Sequence, residues 1–252
     1  MGCRRSERSN YIFSVDMTGA FHVPGDCRVS LNMAPWIPRL GEIKTVEDNK
    51  GRHFRGRVFS LGKSNCEVHL FENLKKRMES CLDLLLLQSL PEKERMELII
   101  QKTTELGVRA IVPFHSERSI SLEEREKFQR KAHRWPEIAK KASSQCRRAF
   151  VPVIEPYTGF ADALRYADEY DLKMLLWERE FKAGLKGICS NVNLPTSICV
   201  LVGPEGGFTE NEIVMARAAG FITVGLGPRI LRTETAAITI IAVIQYIWGD
   251  LG

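Results

Sequence analysis

The chain has 252 residues, enough for one large domain or two small ones. Its hydrophobic fraction of 44% supports a packed core and excludes a wholly disordered protein. Net charge is +5, and all of it sits in residues 1–80, with 14 basic against 9 acidic side chains. A basic first third points to an anionic partner, nucleic acid foremost, against the plainer reading of a solvated basic surface.

Seven cysteines lie at positions 3, 27, 66, 81, 146, 189 and 199, with no CxxC among them. An odd count without paired spacing fits reduced thiols in a cytoplasmic protein and no metal site. The opening MGCRRS fits the short N-myristoylation pattern, which is common by chance, and lacks the apolar core of a signal peptide. The longest apolar run, AAITIIAVIQYIW (236–248), is too short and interrupted to span a bilayer, so no membrane partner is expected.

In chain order, the first ten residues read as a polar tail. Residues 11–74 read as short strands, clearest in HFRGRVF (53–59) and CEVHLFE (66–72), with Pro24-Gly25, Pro35, Pro38 and Gly51 as punctuation. A small β-barrel or β-sandwich is expected there. Arg52, Arg55, Arg57 and Lys63 crowd its second half, and alternation puts Arg55 and Arg57 on one face, suited to phosphates. Residues 75–80 read as a polar linker. The domain division is set at 1–76 and 77–252.

CLDLLLLQSL (81–90) reads as a strand buried on both faces. Pro91 and Glu92 open a helix with Met96, Ile99, Thr103 and Leu106 on one stripe, and Gly107 closes it. AIVPF (110–114) and KMLLW (173–177) read as further strands. Between them a helical region runs from Ser121 to about Gln145, with a kink or a second helix start at Trp135-Pro136.

The stretch 198–237 organises the rest. The apolar runs ICVLV (198–202) and FITV (221–224) each stop at a glycine-proline loop, GPEGG (203–207) and GLGP (225–228), and a helix follows each. Strand, tight loop and helix in repetition describe an open α/β sheet, which binds ligands at the C-terminal ends of its strands. The site is therefore expected where the two loops lie side by side. Thr209 with Glu212 spells a capping box, and Thr233 is expected to cap the last helix, whose Ile240, Ile241, Ile244 and Ile247 face a core. Gly206 and Gly207 allow positive φ and close backbone approach to a flat ligand. Neither GxxxxGK[ST] nor GxGxxG is present, which argues against a nucleotide-phosphate enzyme. Arg229 and Arg232, beside the start of the last helix, favour negative charge.

The pair LVGPEGGFTENEI (201–213) and LGPRILRTETAA (226–237) resembles the signature of the RsmE family, 16S ribosomal RNA (uracil-N3)-methyltransferases of the knotted SPOUT superfamily. MELIIQKTTELGV (96–108), IVPFHSERS (111–119), and Gln145 with Arg148 agree as well, so the likeness covers residues 84–248. It implies an N-terminal PUA-like or OB-like barrel that helps bind RNA. It also implies a C-terminal α/β domain of mainly parallel sheet with a trefoil knot, and a homodimer in which two subunits build the site. S-adenosylmethionine is the implied cofactor, and 16S rRNA in the small ribosomal subunit the implied partner. Carried onto this chain, the cofactor contacts are Leu176, Leu201, Gly203, Glu205, Gly206, Leu226, Gly227, Ile230 and Leu231. Uridine N3 must lose its proton before or during attack, so a cation near O2 or O4 would stabilise the anion. Arg232 and Arg229 are the candidates, with Arg232 favoured. Glu205 and Glu234 are the carboxylates that could act as base, Glu234 having the simpler reading of a helix N-terminal acid.

Departures from the family pattern are also visible. CRVSLNMAPWIPRLGE (27–42) lacks the usual histidine-arginine run, and Ser144 and Arg147 stand where glutamate and glycine are usual. These keep two alternatives open: a non-catalytic RNA-binding ribosome-assembly protein, or a SPOUT methyltransferase with a different RNA target such as a ribose hydroxyl.

Overall fold

The structure is a computed structural model, and it describes residues 12–13, 27–32, 38–48, 50–91, 95–121, 123–124, 134–180, 185, 187–188 and 194–252. The acylation pattern, the polar tail, Pro24-Gly25, Pro35, Glu92 and the middle of the helical region after Ser121 lie outside these residues. By internal contacts the chain forms two units, Ser80–Ala139 with Pro152–Gly252, and Cys3–Glu79 with Lys140–Val151. Residues 140–151 thus group with the N-terminal sheet, although they lie far beyond residue 76.

The N-terminal unit is a five-stranded sheet of β1 (Ile12–Phe13), β2 (Cys27–Asn32), β3 (Ile43–Asp48), β4 (His53–Leu61) and β5 (Asn65–Leu74), in the order β1-β3-β4-β5-β2. Apart from the short parallel pair β1–β3, its ladders are antiparallel. Alternation sends Val29, Leu31, Val46, Phe54, Val58, Cys66, Val68 and Leu70 into one core, with Val151 packed against it. The polar stretch 75–80 is anchored rather than loose. Glu79 accepts from the Arg148 guanidinium at 2.9 and 3.1 Å and from the Phe150 N–H at 2.9 Å, and the Met78 N–H donates to His53 Nδ1.

The second unit is a seven-stranded sheet of β6 (Asp83–Ser89), β7 (Ala110–His115), β8 (Val153–Ile154), β9 (Thr158–Gly159), β10 (Leu172–Leu176), β11 (Ser197–Val202) and β12 (Ile222–Val224). Its main order is β12-β10-β11-β6-β7-β8, with β9 also on β7, and every pairing is parallel. The central strands are apolar on both sides because helices cover the faces: Leu84 to Leu87 and Ile198 to Leu201 are all buried.

Five helices are described: α1 (Arg95–Glu105), α2 (Trp135–Gln145), α3 (Phe160–Arg165), α4 (Glu210–Ala218) and α5 (Thr233–Trp248). In α1 the buried stripe is Met96, Ile99, Ile100, Thr103 and Thr104, with Leu106 only half-buried. Gly107 follows at φ +90°, the left-handed turn that ends a helix. Among the described residues α2 begins at Trp135, so Pro136 stands in its first turn, where a missing N–H costs nothing. The capping box before α4 is complete, with Thr209 and Glu212 exchanging both bonds. The cap of α5 differs from expectation. Arg232 occupies the N-cap position without a side-chain bond, and Thr233 is the first helical residue, its hydroxyl turned to another loop. Ile240, Ile241 and Ile244 are buried as expected, while Ile247 is half-buried and Gln245 and Trp248 complete the buried face.

Candidate active site

The C-terminal ends of β10, β11 and β12 open into one cavity of about 370 Å³. The two glycine loops both reach it, although the strands they follow, β11 and β12, are not neighbours in the sheet. Strand β10 lies between β11 and β12, so the turn after it, Trp177 and Glu178, forms a third wall between the loops. The sequence text around KMLLW gives no sign of this, because strand order is a tertiary outcome.

Of the residues that the resemblance assigned to the cofactor, Leu176, Gly203, Glu205 and Gly206 line one part of the cavity. Leu226, Gly227, Ile230 and Leu231 line another. Leu201 does not reach it. Its side chain is fully buried within the sheet, where Leu201 pairs with Leu175 and Leu87. Both candidate cations, Arg229 and Arg232, line the cavity and are exposed. Glu234 is not among the lining residues, and it lies in the first turn of α5.

Local bonds explain how the loops are held. The Thr233 hydroxyl donates to the Gly203 carbonyl at 2.7 Å and accepts from buried Gln88 Nε2 at 3.1 Å. The Arg95 guanidinium lies 2.6 Å from Glu205 Oε1 and 3.9 Å from Glu234 Oε2, so one cation on α1 serves a carboxylate of the first loop and one from the first turn of α5. Arg118 Nη1 donates to the Gly206 carbonyl, and the Glu117 N–H donates to the capping carboxylate of Glu212. The HSERS segment therefore braces the GPEGG loop from outside. Glycine is required at two positions. A Cβ at Gly225 would collide with the Glu180 carbonyl oxygen, and Gly227 has φ +100°. Gly207 shares positive φ at +67°, whereas Gly206 does not.

Gln88, Arg95, Arg118, Trp177, Glu178 and Thr233 were not singled out as site residues from the sequence. Arg95, Arg118 and Thr233 carried a usable signal, since they fall in or beside the segments that share family text. The cavity mixes apolar walls (Leu176, Val202, Leu226, Leu231) with the carboxylates of Glu178 and Glu205 and the guanidinium groups of Arg229 and Arg232. A ligand combining a flat apolar ring, cationic centres and a carboxylate suits this lining, and the volume is that of a small-cofactor site. Among the described residues no cluster of three or more His, Cys, Asp or Glu side chains could hold a metal ion.

The four basic residues singled out in the N-terminal sheet have different fates. Arg52 is bound to Asp48 through Nε and Nη2, both at 2.7 Å, and so closes the β3–β4 hairpin. Arg55 is half-buried, while Arg57 and Lys63 are exposed. The residues that depart from family text also have structural consequences. Ser144 accepts a bond from the buried Lys44 ammonium at 3.0 Å, and Arg147 takes the left-handed φ of 65° where glycine is usual.

A parallel sheet with glycine loops gathered at its C-terminal edge defines an α/β ligand-binding domain. The family described as RNA methyltransferase domain matches residues 78–245. A ribosomal RNA small subunit methyltransferase E from Bacillus subtilis is 34% identical over 191 residues, covering 74% of this chain and 75% of that protein. The crystal structure of a ribosomal RNA small subunit methyltransferase E from Neisseria gonorrhoeae, bound to S-adenosyl methionine, superposes with TM-score 0.67 and 31% identity, covering 97% of this chain and 99% of that one. A putative methyltransferase from Legionella pneumophila in complex with SAM gives TM-score 0.67 and 29% identity, covering 97% and 100%. The chain belongs to the RNA methyltransferase family and, within it, to the ribosomal RNA small subunit methyltransferase E group.

Proposed function

We propose that this protein transfers a methyl group from S-adenosylmethionine to N3 of a uridine in small-subunit (16S) ribosomal RNA. The observation that carries the reading is the cavity itself, whose glycine loops and paired arginines meet at the C-terminal ends of β10, β11 and β12. Neither the non-catalytic assembly-protein reading nor the different-target reading is favoured by any feature of that cavity. The reading takes residues 1–76 as the RNA-binding domain and 77–252 as the knotted methyltransferase domain.

When bound, the cofactor supplies an electrophilic methyl on a sulfonium. The chain's own residues do the rest. Backbone groups of Gly203, Gly206 and Gly227, with the apolar side chains of Leu226, Ile230 and Leu231, orient the cofactor and exclude water from it. Arg232, with Arg229 beside it, holds the negative charge that develops on the uridine carbonyl oxygens as N3 gives up its proton. Glu205, one of the two cavity carboxylates, is the candidate acceptor of that proton or of a bridging water's. Glu234 fits the role of a helix N-terminal acid, since it does not line the cavity. The target base must leave its pair and stack to bring N3 this close.

A homodimer is part of the reading. Ile230 is 86% exposed on the cavity's rim, which suits cover by a second subunit. No helix among the described residues is long and apolar enough to cross a membrane, and the reading places the enzyme with ribosomes in the cytoplasm. The test is methyl transfer from labelled S-adenosylmethionine to small ribosomal subunits that lack their own N3-methyluridine, followed by nucleoside mass analysis. N3-methyluridine is the expected product; a methylated ribose, or cofactor binding without transfer, would overturn the reading.

A further inference from the structure

The outer face of the N-terminal sheet carries a feature that the cavity does not use. Ile43 pairs with Arg57, Arg57 with His69, and His69 with Arg28, so four neighbouring strands set these side chains in one row. The β4–β5 ladder slips twice beside that row. At one slip Gly56 faces Leu70 while Arg55 faces Glu72, which leaves Phe71 as the extra residue. At the other Val58 faces Val68 while Ser60 faces Glu67, which leaves Phe59 as the extra residue.

A bulge re-aims the residue it inserts. Both inserted residues are phenylalanines, 56% exposed at Phe59 and 47% at Phe71. With Ile43, Arg57 and His69 they line one depression, and the Arg28 guanidinium lies 5.0 Å from the Phe59 ring centroid. A single exposed aromatic on a sheet needs no explanation. Two of them, each delivered by its own bulge to the same cationic row, form a platform.

We propose that Phe59 and Phe71 stack unpaired bases of single-stranded RNA while Arg57 and Arg28 take the adjoining phosphates. Flat apolar rings beside guanidinium groups are what splayed bases require, and phosphate complements the row's charge. This proposal rests on the reading of the protein as an RNA enzyme, but it concerns a surface separate from the cofactor cavity.

The test uses the full chain and a fluorescently labelled, unstructured decauridine followed by anisotropy, with the matching duplex as control. Phe59→Ala combined with Phe71→Ala should weaken single-strand binding at least tenfold, the size expected for losing one or two base stacks. S-adenosylmethionine affinity should stay unchanged, which also reports that the variant is folded. The Phe59→Leu, Phe71→Leu pair should fail to restore binding, whereas a tyrosine pair should restore it. In a Phe59→Trp variant, the emission should be quenched by single strand and not by duplex. Parent-like binding by the alanine or leucine pair overturns the proposal, as does an unquenched tryptophan or a parent protein that ignores the oligonucleotide. A change from dimer to monomer with RNA affinity intact would instead assign the face to a second copy. Failure of the parent to bind S-adenosylmethionine would sink the enzymatic reading while leaving this result to stand or fall by itself.

Discussion

The hydroxyl of Thr233 donates to the carbonyl of Gly203 across 2.7 Å, tying the first residue of α5 to the first residue of the GPEGG loop. Thr233 is 5% exposed, and Gln88 Nε2 donates to it from the end of β6. Thr233→Val keeps the shape and removes the hydroxyl, leaving two polar groups without this partner. It should cost about 1–3 kcal/mol of stability and weaken cofactor binding. Thr233→Ser should recover most of both. Thermal melts and calorimetric titration check this; a valine variant with unchanged melting and affinity would show that the tie is dispensable.

Arg232→Ala should lower turnover by about 100-fold or more while changing S-adenosylmethionine affinity little, if its charge acts on the developing uridine anion. Equal losses in turnover and cofactor affinity would assign it to cofactor binding instead. Steady-state kinetics with a separate binding isotherm distinguishes the two.

Arg95 separates loop positioning from stability. Its side chain is about one-quarter exposed, so the bridge to Glu205 contributes little to folding, roughly 1 kcal/mol or less. Arg95→Ala should therefore melt near the parent while binding cofactor several-fold more weakly, because Glu205 loses the cation that positions it. A large drop in melting temperature with unaltered affinity would contradict this.

Arg147 holds φ at 65° with a side chain that disfavours it. Arg147→Gly should raise stability by about 1 kcal/mol, read from urea unfolding. In contrast, Glu79→Ala should cost about 3 kcal/mol, since it removes the carboxylate that faces the Arg148 guanidinium, whose side chain is 5% exposed. Should either variant move in the opposite direction, the local account of residues 140–151 would be wrong.

Asp171 gives a pH signature. Thr196 Oγ1 donates to it at 2.7 Å, and the Thr196 and Ser197 N–H groups at 3.0 Å. These donors, Thr196 first and Ser197 next, hold its carboxyl below the usual aspartate range despite an opposing contribution from burial. The unfolded chain then binds the proton more readily. Its stabilisation is complete above the ordinary aspartate value near 4 and fades as pH falls through the lower folded value. Asp171→Asn should destabilise at pH 7 and much less near pH 2. A difference that stays constant across that range would remove Asp171 as its cause.

Most of the parallel-sheet domain could be read from the chain. Leu84–Leu87 and Ile198–Leu201 announce buried strands, and Thr209 with Glu212 announces a helix start, because those signals are local. The role of Thr233 could not be read the same way. A threonine at a helix start looks like a cap, and only the position of Gly203 redirects its hydroxyl. Likewise nothing near Leu176 reveals that β10 divides β11 from β12, so Trp177 and Glu178 went unnoticed as walls. Leu201 was named from the family resemblance, yet its side chain packs into the core between the sheet and its helices. In the N-terminal sheet, Phe59 and Phe71 look like ordinary strand positions until the ladder slips are known.

The insertion of β10 between β11 and β12 also bears on when this protein can begin to work. Met174 must find Ile222, a partner that is synthesised only after both β10 and β11. The cavity also needs residues up to Ala236. A nascent chain therefore carries a nearly finished sheet before the cavity has all its walls, and competence waits for residues 226–236. A truncation that removes only α5 would leave a protein with most of its sheet and none of its chemistry.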